Sequence, residues 1–374
     1  MRRREFLLSP ALSLFPLGPN FAQPVPLQTQ QPLGLNSYCL RAMRWRDKEL
    51  LDYAASLKLE GVFLQDSTDP DSGNLAHWKE IGEYARELNL HIETGVGAVL
   101  PKDSAQTEAS RQQLLLGIER AKAVGSPLVR CLLAADRAHL PPGTIDQHVE
   151  TMARLLRSVR SQTMDAGLKI AIENHKDLQA WEMREVIEAA GKEFVGSYLD
   201  TGNPVFVLED PLTTLEILGR YALCVHLRDS VIYEYQDRSG ADARLRAGAM
   251  VQWVPLGDGV IDFVTFIRRL RLIKPDVYVY VKPITGRPPQ LIPYLEADFW
   301  NDYPKARAAE LARFVALARR GAPYGKHMVV EDLPGRVTPE PFVAALQFQQ
   351  KQHMERSVEY AEKTLNLGSR WRAS

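Results

Sequence analysis

The feature that most limits how this chain can fold is a regular alternation between short apolar runs and longer segments with a helical period. Eight apolar runs predict β-strands at residues 35–39, 61–65, 91–94, 128–132, 169–173, 195–200, 224–227 and 277–282. The segments between them predict helices at residues 47–57, 75–88, 110–124, 145–166, 181–190, 211–218 and 263–272. Gly125, Gly167 and Gly191 follow three of these helices, as expected where a helix ends in a left-handed residue.

Strands and helices in this order predict a parallel sheet with crossover helices, and eight strands are the number that closes a barrel. The alternative, an open doubly wound sheet, usually carries a glycine-rich turn after its first strand, and residues 37–42 contain no glycine. The predicted fold is therefore α/β, a (β/α)8 TIM barrel with a C-terminal helical extension. Two further helices are predicted at residues 306–320 and 341–365, and the long connection at residues 230–251 is a candidate lid.

The N-terminal segment is predicted to lie outside the barrel. Three arginines at positions 2–4 precede an apolar run at residues 7–17, and the small residue Ala22 suits a cleavage site, so an export signal is expected. The sequence RREFL at residues 3–7 resembles a twin-arginine signal, which predicts a periplasmic location, with a cytoplasmic one as the alternative. The predicted segments are the signal at 1–22, a linker at 23–34, the barrel at 35–325 and the helical extension at 326–374.

Composition excludes some classes of protein. The 374 residues carry 46 Lys and Arg against 46 Asp and Glu. A formal net charge of zero argues against a nucleic-acid partner, because proteins that bind polyanions usually carry an excess of basic residues. After the N-terminal segment, no stretch has the roughly 18 apolar residues of a membrane span, so no membrane partner is expected for the mature form. The three cysteines are too few for a disulfide framework, and we expect them to be buried: Cys39, Cys131 and Cys224.

Polar residues stand at the carboxyl ends of the predicted strands, where barrel enzymes place their catalytic groups. The fifth strand ends at Glu173, the sixth ends at Asp200, and the seventh contains His226. Two carboxylates and an imidazole are hard oxygen and nitrogen ligands, which suit a divalent ion such as Mn²⁺, Mg²⁺, Co²⁺ or Zn²⁺. These residues therefore predict a metal site, and a purely hydrogen-bonded network is the alternative.

Four motifs carry a resemblance to a known family. They are IAIENH at 170–175, YLDTGNP at 198–204, VHLRD at 225–229 and LGDG at 256–259. With these motifs, in this order, the chain resembles the xylose-isomerase-like TIM barrel superfamily (the sugar phosphate isomerase/epimerase family) over residues 35–286. The resemblance implies a barrel, a divalent metal held by Glu173, Asp200 and His226, and proton transfer next to a sugar carbonyl.

One residue departs from the pattern of that family. The family usually ends its eighth strand with a glutamate that ligates the metal and acts as an acid or base, and Lys282 stands there in this chain. Three interpretations remain open. A neutral Lys282 serves as ligand or base, or it turns away to bind a substrate oxygen, or it forms an ion pair with Glu173 and the metal is lost.

The resemblance implies a small carbohydrate substrate and a sugar isomerase or epimerase, with a homo-oligomer possible. Glu173 and Lys282 are the predicted catalytic pair, and the metal, or Lys282 in its absence, is expected to hold the oxyanion of an enediolate. Proton abstraction at this site also suits a lyase that acts on keto-glycosides or modified sugars. The replaced glutamate also permits a barrel that binds a carbohydrate or a partner without catalysis. Four further residues are predicted to bind the substrate: His175, Arg130, Arg228 and Trp253.

Other polar residues have structural interpretations. Glu93 and His91 are expected in the barrel interior, and Trp253 has packing as its alternative role. Arg228 has an ion pair with its neighbour Asp229 as its alternative role. The remaining histidines are expected on the surface: His77, His139, His148, His327 and His353.

Overall fold

The computed structural model describes residues 30–65, 67, 69–236, 247–326, 330–333 and 335–369. The predicted export signal at residues 1–22, most of the predicted linker, and His327 lie outside the described residues. In the part of the chain that is described, none of the helices is both long and apolar enough to cross a membrane.

Eight parallel strands close into a barrel, in the order β1-β10-β7-β6-β5-β4-β3-β2, and three others form a separate antiparallel sheet. The strands are β1 (Leu33–Asn36), β2 (Gly61–Leu64), β3 (His91–Ala98), β4 (Leu128–Leu132), β5 (Lys169–Glu173), β6 (Val195–Asp200), β7 (Ala222–Leu227), β8 (Asp229–Tyr235), β9 (Gly248–Val254), β10 (Tyr278–Val281) and β11 (Gln290–Ile292). The predicted (β/α)8 barrel is therefore confirmed, with each of the eight predicted strands present. The first strand begins and ends earlier than predicted, so that Asn36 is its last residue.

The helices cover the barrel and extend beyond it. They are α1 (Asp47–Ser56), α2 (Leu75–Glu87), α3 (Thr107–Val124), α4 (Ile145–Arg157), α5 (Arg160–Asp165), α6 (Ala180–Ala190), α7 (Pro211–Leu218), α8 (Phe263–Ile273), α9 (Ala308–Arg320) and α10 (Glu340–Lys363). The single helix predicted at residues 145–166 is two helices, because Ser158 and Val159 interrupt it. Gly125 follows α3 in the left-handed conformation, as its position in the sequence predicts.

The interior of the barrel is filled by side chains of its own strands. A buried cluster inside the barrel consists of Phe63, Leu128, Ala171, Tyr198, Cys224 and Tyr280. Gly34 makes room for this layer, since a Cβ atom there would lie 2.5 Å from the ring of Tyr280. A second and larger apolar cluster fills the space between the strands and the helices. All three cysteines are buried and free, as expected.

In the described residues, the predicted lid is an antiparallel β-hairpin. Strands β8 and β9 pair with each other, and β11 pairs with β9; residues 237–246 of the predicted lid lie outside the described residues. The register places Ser230 opposite Trp253, which brings the Trp253 ring to 4.8 Å from the guanidinium carbon of Arg228. The hairpin thus carries an aromatic residue to the carboxyl ends of the barrel strands.

The carboxylate of Asp229 binds the LGDG motif to the hairpin through hydrogen bonds. Asp229 Oδ2 accepts hydrogen bonds from the backbone N–H groups of Gly257, at 2.9 Å, and Gly259, at 3.0 Å. A Cβ atom on Gly259 would lie 2.1 Å from Asp229 Oδ1, so this loop can approach the carboxylate only with glycine at that position. Burial raises the pKa of Asp229 to about 7, although these backbone hydrogen bonds act in the opposite direction.

Helix α10 packs against β10 and against the segment that follows β1. Its His353 Nδ1 lies 2.9 Å from the hydroxyl oxygen of Thr285, which follows β10. Beyond the helix, the N–H of Gly368 donates to the carbonyl oxygen of Gln31 at 2.9 Å, immediately before β1. His353 and His148 are each only 5% exposed, so the expectation that they lie on the surface is wrong. His353 belongs to a helix that packs inward, and Val149 and Met152 of the same helix as His148 are also buried.

Candidate functional site

Four side chains from four strands converge at the carboxyl end of the barrel. Glu173 ends β5, Asp200 ends β6, His226 lies one residue before the end of β7, and Lys282 follows β10. The parallel register pairs Asp200 with His226, which places their side chains at the same level. Their exposed fractions are 0%, 1%, 0% and 3% in the same order, so the centre is buried.

Glu173 is bonded to two cations. Its Oε1 atom accepts a hydrogen bond from Lys282 Nζ at 2.8 Å, and its Oε2 atom accepts from Arg130 Nε at 2.5 Å and contacts a second nitrogen of the same guanidinium. Arg130 also donates to the carbonyl oxygen of Val96 at 3.1 Å, which fixes the guanidinium. Burial alone would raise the pKa of Glu173, but the charges of Arg130 and Lys282 hold it well below its usual value.

Asp200 is also bonded to two cations. Its Oδ2 atom accepts from Arg228 Nη2 at 2.6 Å and from Lys282 Nζ at 3.2 Å. Its Oδ1 atom accepts from the backbone N–H groups of Gly202, at 2.9 Å, and Asn203, at 3.1 Å. Arg228 therefore pairs with Asp200, and not with its neighbour Asp229 as the alternative interpretation held.

His226 faces the two carboxylates with one ring nitrogen and Asn36 with the other. Its Nε2 atom lies 3.0 Å from Asn36 Nδ2. Its Nδ1 atom lies 3.9 Å from Glu173 Oε1 and 3.7 Å from Asp200 Oδ2, and it has no hydrogen-bond partner among the described residues. Burial and then the charge of Lys282 lower the pKa of His226 well below its usual value, so the ring is neutral.

The predicted substrate-binding residues occupy different positions. Arg130 and Arg228 lie in the centre itself, as partners of the carboxylates. Trp253 lies at the edge of the centre, packed between Arg228 and Phe206, whose ring centroid is 5.6 Å away. His175 is half-buried, and its Nδ1–H donates to the carbonyl oxygen of Ala135 at 2.6 Å, so its ring is bonded to the loop after β4.

Three asparagines also support the centre. Asn174 exchanges two hydrogen bonds with the backbone of Asp200, at 2.7 and 2.9 Å, and so aligns β5 with β6. Asn203 Nδ2 donates to the carbonyl oxygen of Asn174 at 3.0 Å, and its Oδ1 atom accepts from Arg228 at 3.3 Å. Asn36 was not predicted as a site residue, because the first strand was predicted to end three residues later. The polar residue inside an otherwise apolar run was the signal for it.

The structure contains a candidate metal-binding group at this centre. One ligand atom from each of Glu173, Asp200 and His226 lies within 4.8 Å of the others. A second group with the same residue types lies elsewhere, formed by Asp47 of α1, Asp69 of the loop after β2 and His77 of α2.

The charges at the centre test whether a divalent ion fits there. Arg130, Arg228 and Lys282 supply three positive charges against the two carboxylates, and His226 is neutral, so the net charge is one positive. A divalent ion about 4 Å from the Lys282 ammonium would be repelled by about 8 kcal/mol at an effective dielectric constant of about 20. With Lys282 in this position, the residues of the centre do not fit a divalent metal.

Comparisons with known proteins agree with this architecture. Residues 51–292 match the family described as xylose isomerase-like TIM barrel. Because the match covers more than half of the chain, the protein belongs to that family.

The individual proteins that the chain is similar to share only a small part of its sequence. The protein called uncharacterized protein YihM, from Escherichia coli K12, is 28% identical to this chain over an alignment of 212 residues. The alignment covers 54% of this chain and 59% of YihM, so it spans less than two thirds of that relative. A D-psicose 3-epimerase structure with D-fructose aligns with a TM-score of 0.56 at 14% identity, covering 90% of this chain and 99% of that one. A structure of the IOLI protein with a zinc atom aligns with a TM-score of 0.53 at 14% identity, covering 77% of this chain and 95% of that one. At these identities the two structures show a shared fold.

Proposed function

We propose that this protein is an enzyme that moves a proton next to the carbonyl group of a small carbohydrate, in the reaction class of the sugar isomerases and epimerases. The observation that carries the proposal is the buried convergence of Glu173, Asp200, His226 and Lys282 at the strand ends. Buried ion pairs seldom stabilise a fold more than apolar residues of the same volume do, so stability alone gives little reason for such a centre. The strand ends are also where barrels perform chemistry.

Glu173 is the proposed base. Its low pKa keeps it ionised at neutral pH, but a carboxylate paired with two cations is a weak base. If Lys282 turns from Glu173 Oε1 to an oxygen of the substrate, Glu173 loses one of its two cations and its basicity rises. The Lys282 ammonium then hydrogen-bonds the oxyanion that develops as the proton leaves carbon. Arg130 remains on Oε2 and keeps the carboxylate oriented.

Arg228 and Trp253 are the proposed contacts for the rest of the substrate. Arg228 is held by Asp200, and the indole ring of Trp253 lies over its guanidinium. An aromatic face at this edge suits the apolar face of a sugar ring. Since the four central residues are at most 3% exposed, substrate entry requires a covering side chain to move, and Trp253 on the hairpin is our candidate.

Exchange with solvent deuterium tests the proposal. The purified protein is incubated in D₂O with aldoses, ketoses and keto-glycosides, and deuterium at the carbon next to the carbonyl is measured by NMR. We expect exchange by the unaltered protein and a loss of about 100-fold or more in Glu173→Gln, because the base is removed. Glu182→Gln is the matched control, since Glu182 is also buried and paired with an arginine, Arg137, away from the centre. Release of the glycosidic group together with exchange would instead support the lyase alternative.

A binding protein without catalysis is the second candidate. The observation that favours it is that Lys282 contacts both carboxylates at the same time, which leaves neither without a cation. Calorimetric binding of a sugar without any deuterium exchange would support this candidate against the enzyme.

A further inference from the structure

We infer that the centre is built to work without a metal, with the Lys282 ammonium as its resident cation and His226 as a hydrogen-bond donor. The inference deepens the proposed function and rests on it for the use of the centre in catalysis. Its test, however, measures metal binding and the position of a proton, so it can succeed or fail separately.

The ammonium group of Lys282 is bonded to both carboxylates of the centre. Its Nζ atom contacts Glu173 Oε1 at 2.8 Å and Asp200 Oδ2 at 3.2 Å. These are the same two oxygens that lie closest to His226 Nδ1, at 3.9 and 3.7 Å. The ammonium therefore bonds the two carboxylate oxygens that a metal held by all three residues would use.

The other oxygens of the two carboxylates also accept hydrogen bonds from the protein. Glu173 Oε2 is bonded to Arg130, and Asp200 Oδ1 accepts two backbone N–H groups. Each of the four carboxylate oxygens thus already accepts a hydrogen bond from the protein. A metal would have to displace at least one of these donors, and it would add two positive charges to a centre that already carries an excess of one.

The orientation of Asn36 defines the tautomer of His226. The backbone N–H of Tyr38 donates to Asn36 Oδ1 at 2.9 Å, which fixes the orientation of the Asn36 amide. Its NH₂ group therefore faces His226 Nε2 at 3.0 Å. An amide NH₂ donates and does not accept, so Nε2 must be the accepting nitrogen, and the single proton of the neutral ring lies on Nδ1.

This tautomer is the opposite of what metal binding through Nδ1 requires. A histidine that ligates a metal usually donates its other ring N–H to a carbonyl or carboxylate, which keeps the ligating nitrogen free of hydrogen. Here Asn36 places the hydrogen on the nitrogen that faces Glu173 and Asp200. Since Nδ1 has no hydrogen-bond partner among the described residues, its N–H is available, beside Lys282, to an oxygen of the substrate.

Metal binding by charge variants tests whether Lys282 and the other hydrogen-bond donors of the two carboxylates keep a metal out of the centre. All variants carry Asp47→Asn, which removes one carboxylate of the second group, so that metal bound there is not counted. After incubation with Zn²⁺, Mn²⁺ or Co²⁺ and desalting, the metal content is measured by elemental analysis. We expect less than about 0.1 equivalent in the parent and about one equivalent in Lys282→Glu, because that change replaces the cation by a ligand. Lys305→Glu is the control, since it makes the same change of charge at an exposed ion pair with Asp146.

A measurement of the histidine tautomer tests the position of the proton on His226. In ¹⁵N-histidine NMR spectra we expect the proton of His226 on Nδ1 in the parent and on Nε2 in Asn36→Asp, because an aspartate accepts from Nε2. The double variant Lys282→Glu, Asn36→Asp is expected to bind metal about 10-fold more tightly than Lys282→Glu alone.

Several results would overturn the inference. They are a parent protein that retains one equivalent of metal and loses it in Glu173→Gln, a proton on Nε2 in the parent, or a folded Lys282→Glu that binds no more metal than Lys305→Glu. If Lys282→Glu does not fold, the NMR measurement on the parent decides. A metal-free parent with the Nδ1 proton but no deuterium exchange would contradict the proposed function alone, whereas exchange by a metal-loaded parent would contradict the inference alone.

Discussion

Two groups of side chains in this protein have the same composition, two carboxylates and one imidazole, but different surroundings. In the first group, Glu173 and Asp200 are bonded to three cations, and Nδ1 of His226 faces them with no hydrogen-bond partner among the described residues. Buried charges are stable only when they are paired, and here the pairing is complete.

Among the described residues, fewer cations are paired with the second group. Asp47 accepts from the hydroxyl of Ser67 at 2.7 and 2.9 Å and lies 2.8 Å from His77 Nε2. The cation paired with Asp69 is Arg46, at 3.7 Å, and its side chain is 63% exposed. Residue types therefore define which ligands are possible, while the charges around them decide what occupies the site. Three predictions test this difference.

The largest effect is expected from removing a carboxylate charge in the first group. Glu173→Gln leaves Arg130 and Lys282 buried with one carboxylate fewer, so we expect the free energy of unfolding to fall by about 3–5 kcal/mol. Urea unfolding followed by circular dichroism measures it. A loss below about 1 kcal/mol would mean that the pairing in the first group is no stronger than on the surface.

The second prediction concerns pH. Because the pKa of His226 is lowered by burial and by Lys282, the folded protein keeps this ring neutral while the unfolded chain takes up a proton below about pH 6.5. Its contribution to stability is therefore complete above about pH 6.5 and is lost as the pH falls, with a slope of at most about 1.4 kcal/mol per pH unit. In ¹⁵N-histidine NMR, the His226 signal should not titrate between pH 8 and pH 5.5 in the folded protein. The same residue in urea-unfolded protein is the reference, and a midpoint near 6.5 in the folded state would refute the prediction.

The smallest effect is expected in the second group. Asp47→Asn keeps an acceptor for Ser67 and His77, and none of the described arginines and lysines is paired with Asp47, so we expect a loss of stability of about 1 kcal/mol. Arg46→Ala, which removes an exposed partner, should change stability by less than about 0.5 kcal/mol. Unfolding in urea measures both. If Asp47→Asn cost as much as Glu173→Gln, the two groups would not differ in the way described.

The sequence predicted the architecture well because hydrophobic periodicity is a local signal. All eight barrel strands follow from apolar runs of the right length, and Glu173, Asp200 and Lys282 were placed at strand ends by that pattern alone. The break between α4 and α5 was not predicted, because residues 145–166 keep a helical period across it.

The partners within the centre were not predictable in the same way. That Arg130 bonds Glu173 and Arg228 bonds Asp200 depends on the tilt and register of neighbouring strands, which no local pattern reports. The role of Asn36 depends on its closeness to His226, 190 residues away along the chain. Lys282 was identified as a departure from the family, but its simultaneous bonds to Glu173 and Asp200 were not predictable from the sequence.

The hydrogen bond between Gly368 and Gln31 has a practical consequence. It brings together two positions more than 330 residues apart in sequence, next to the beginning of β1 and therefore at the opposite end of the barrel from the charged centre. A circularly permuted chain that is spliced between these positions and opened at a surface loop would keep every strand neighbour. Such a permutant offers new termini for attaching a reporter without touching the mouth of the barrel.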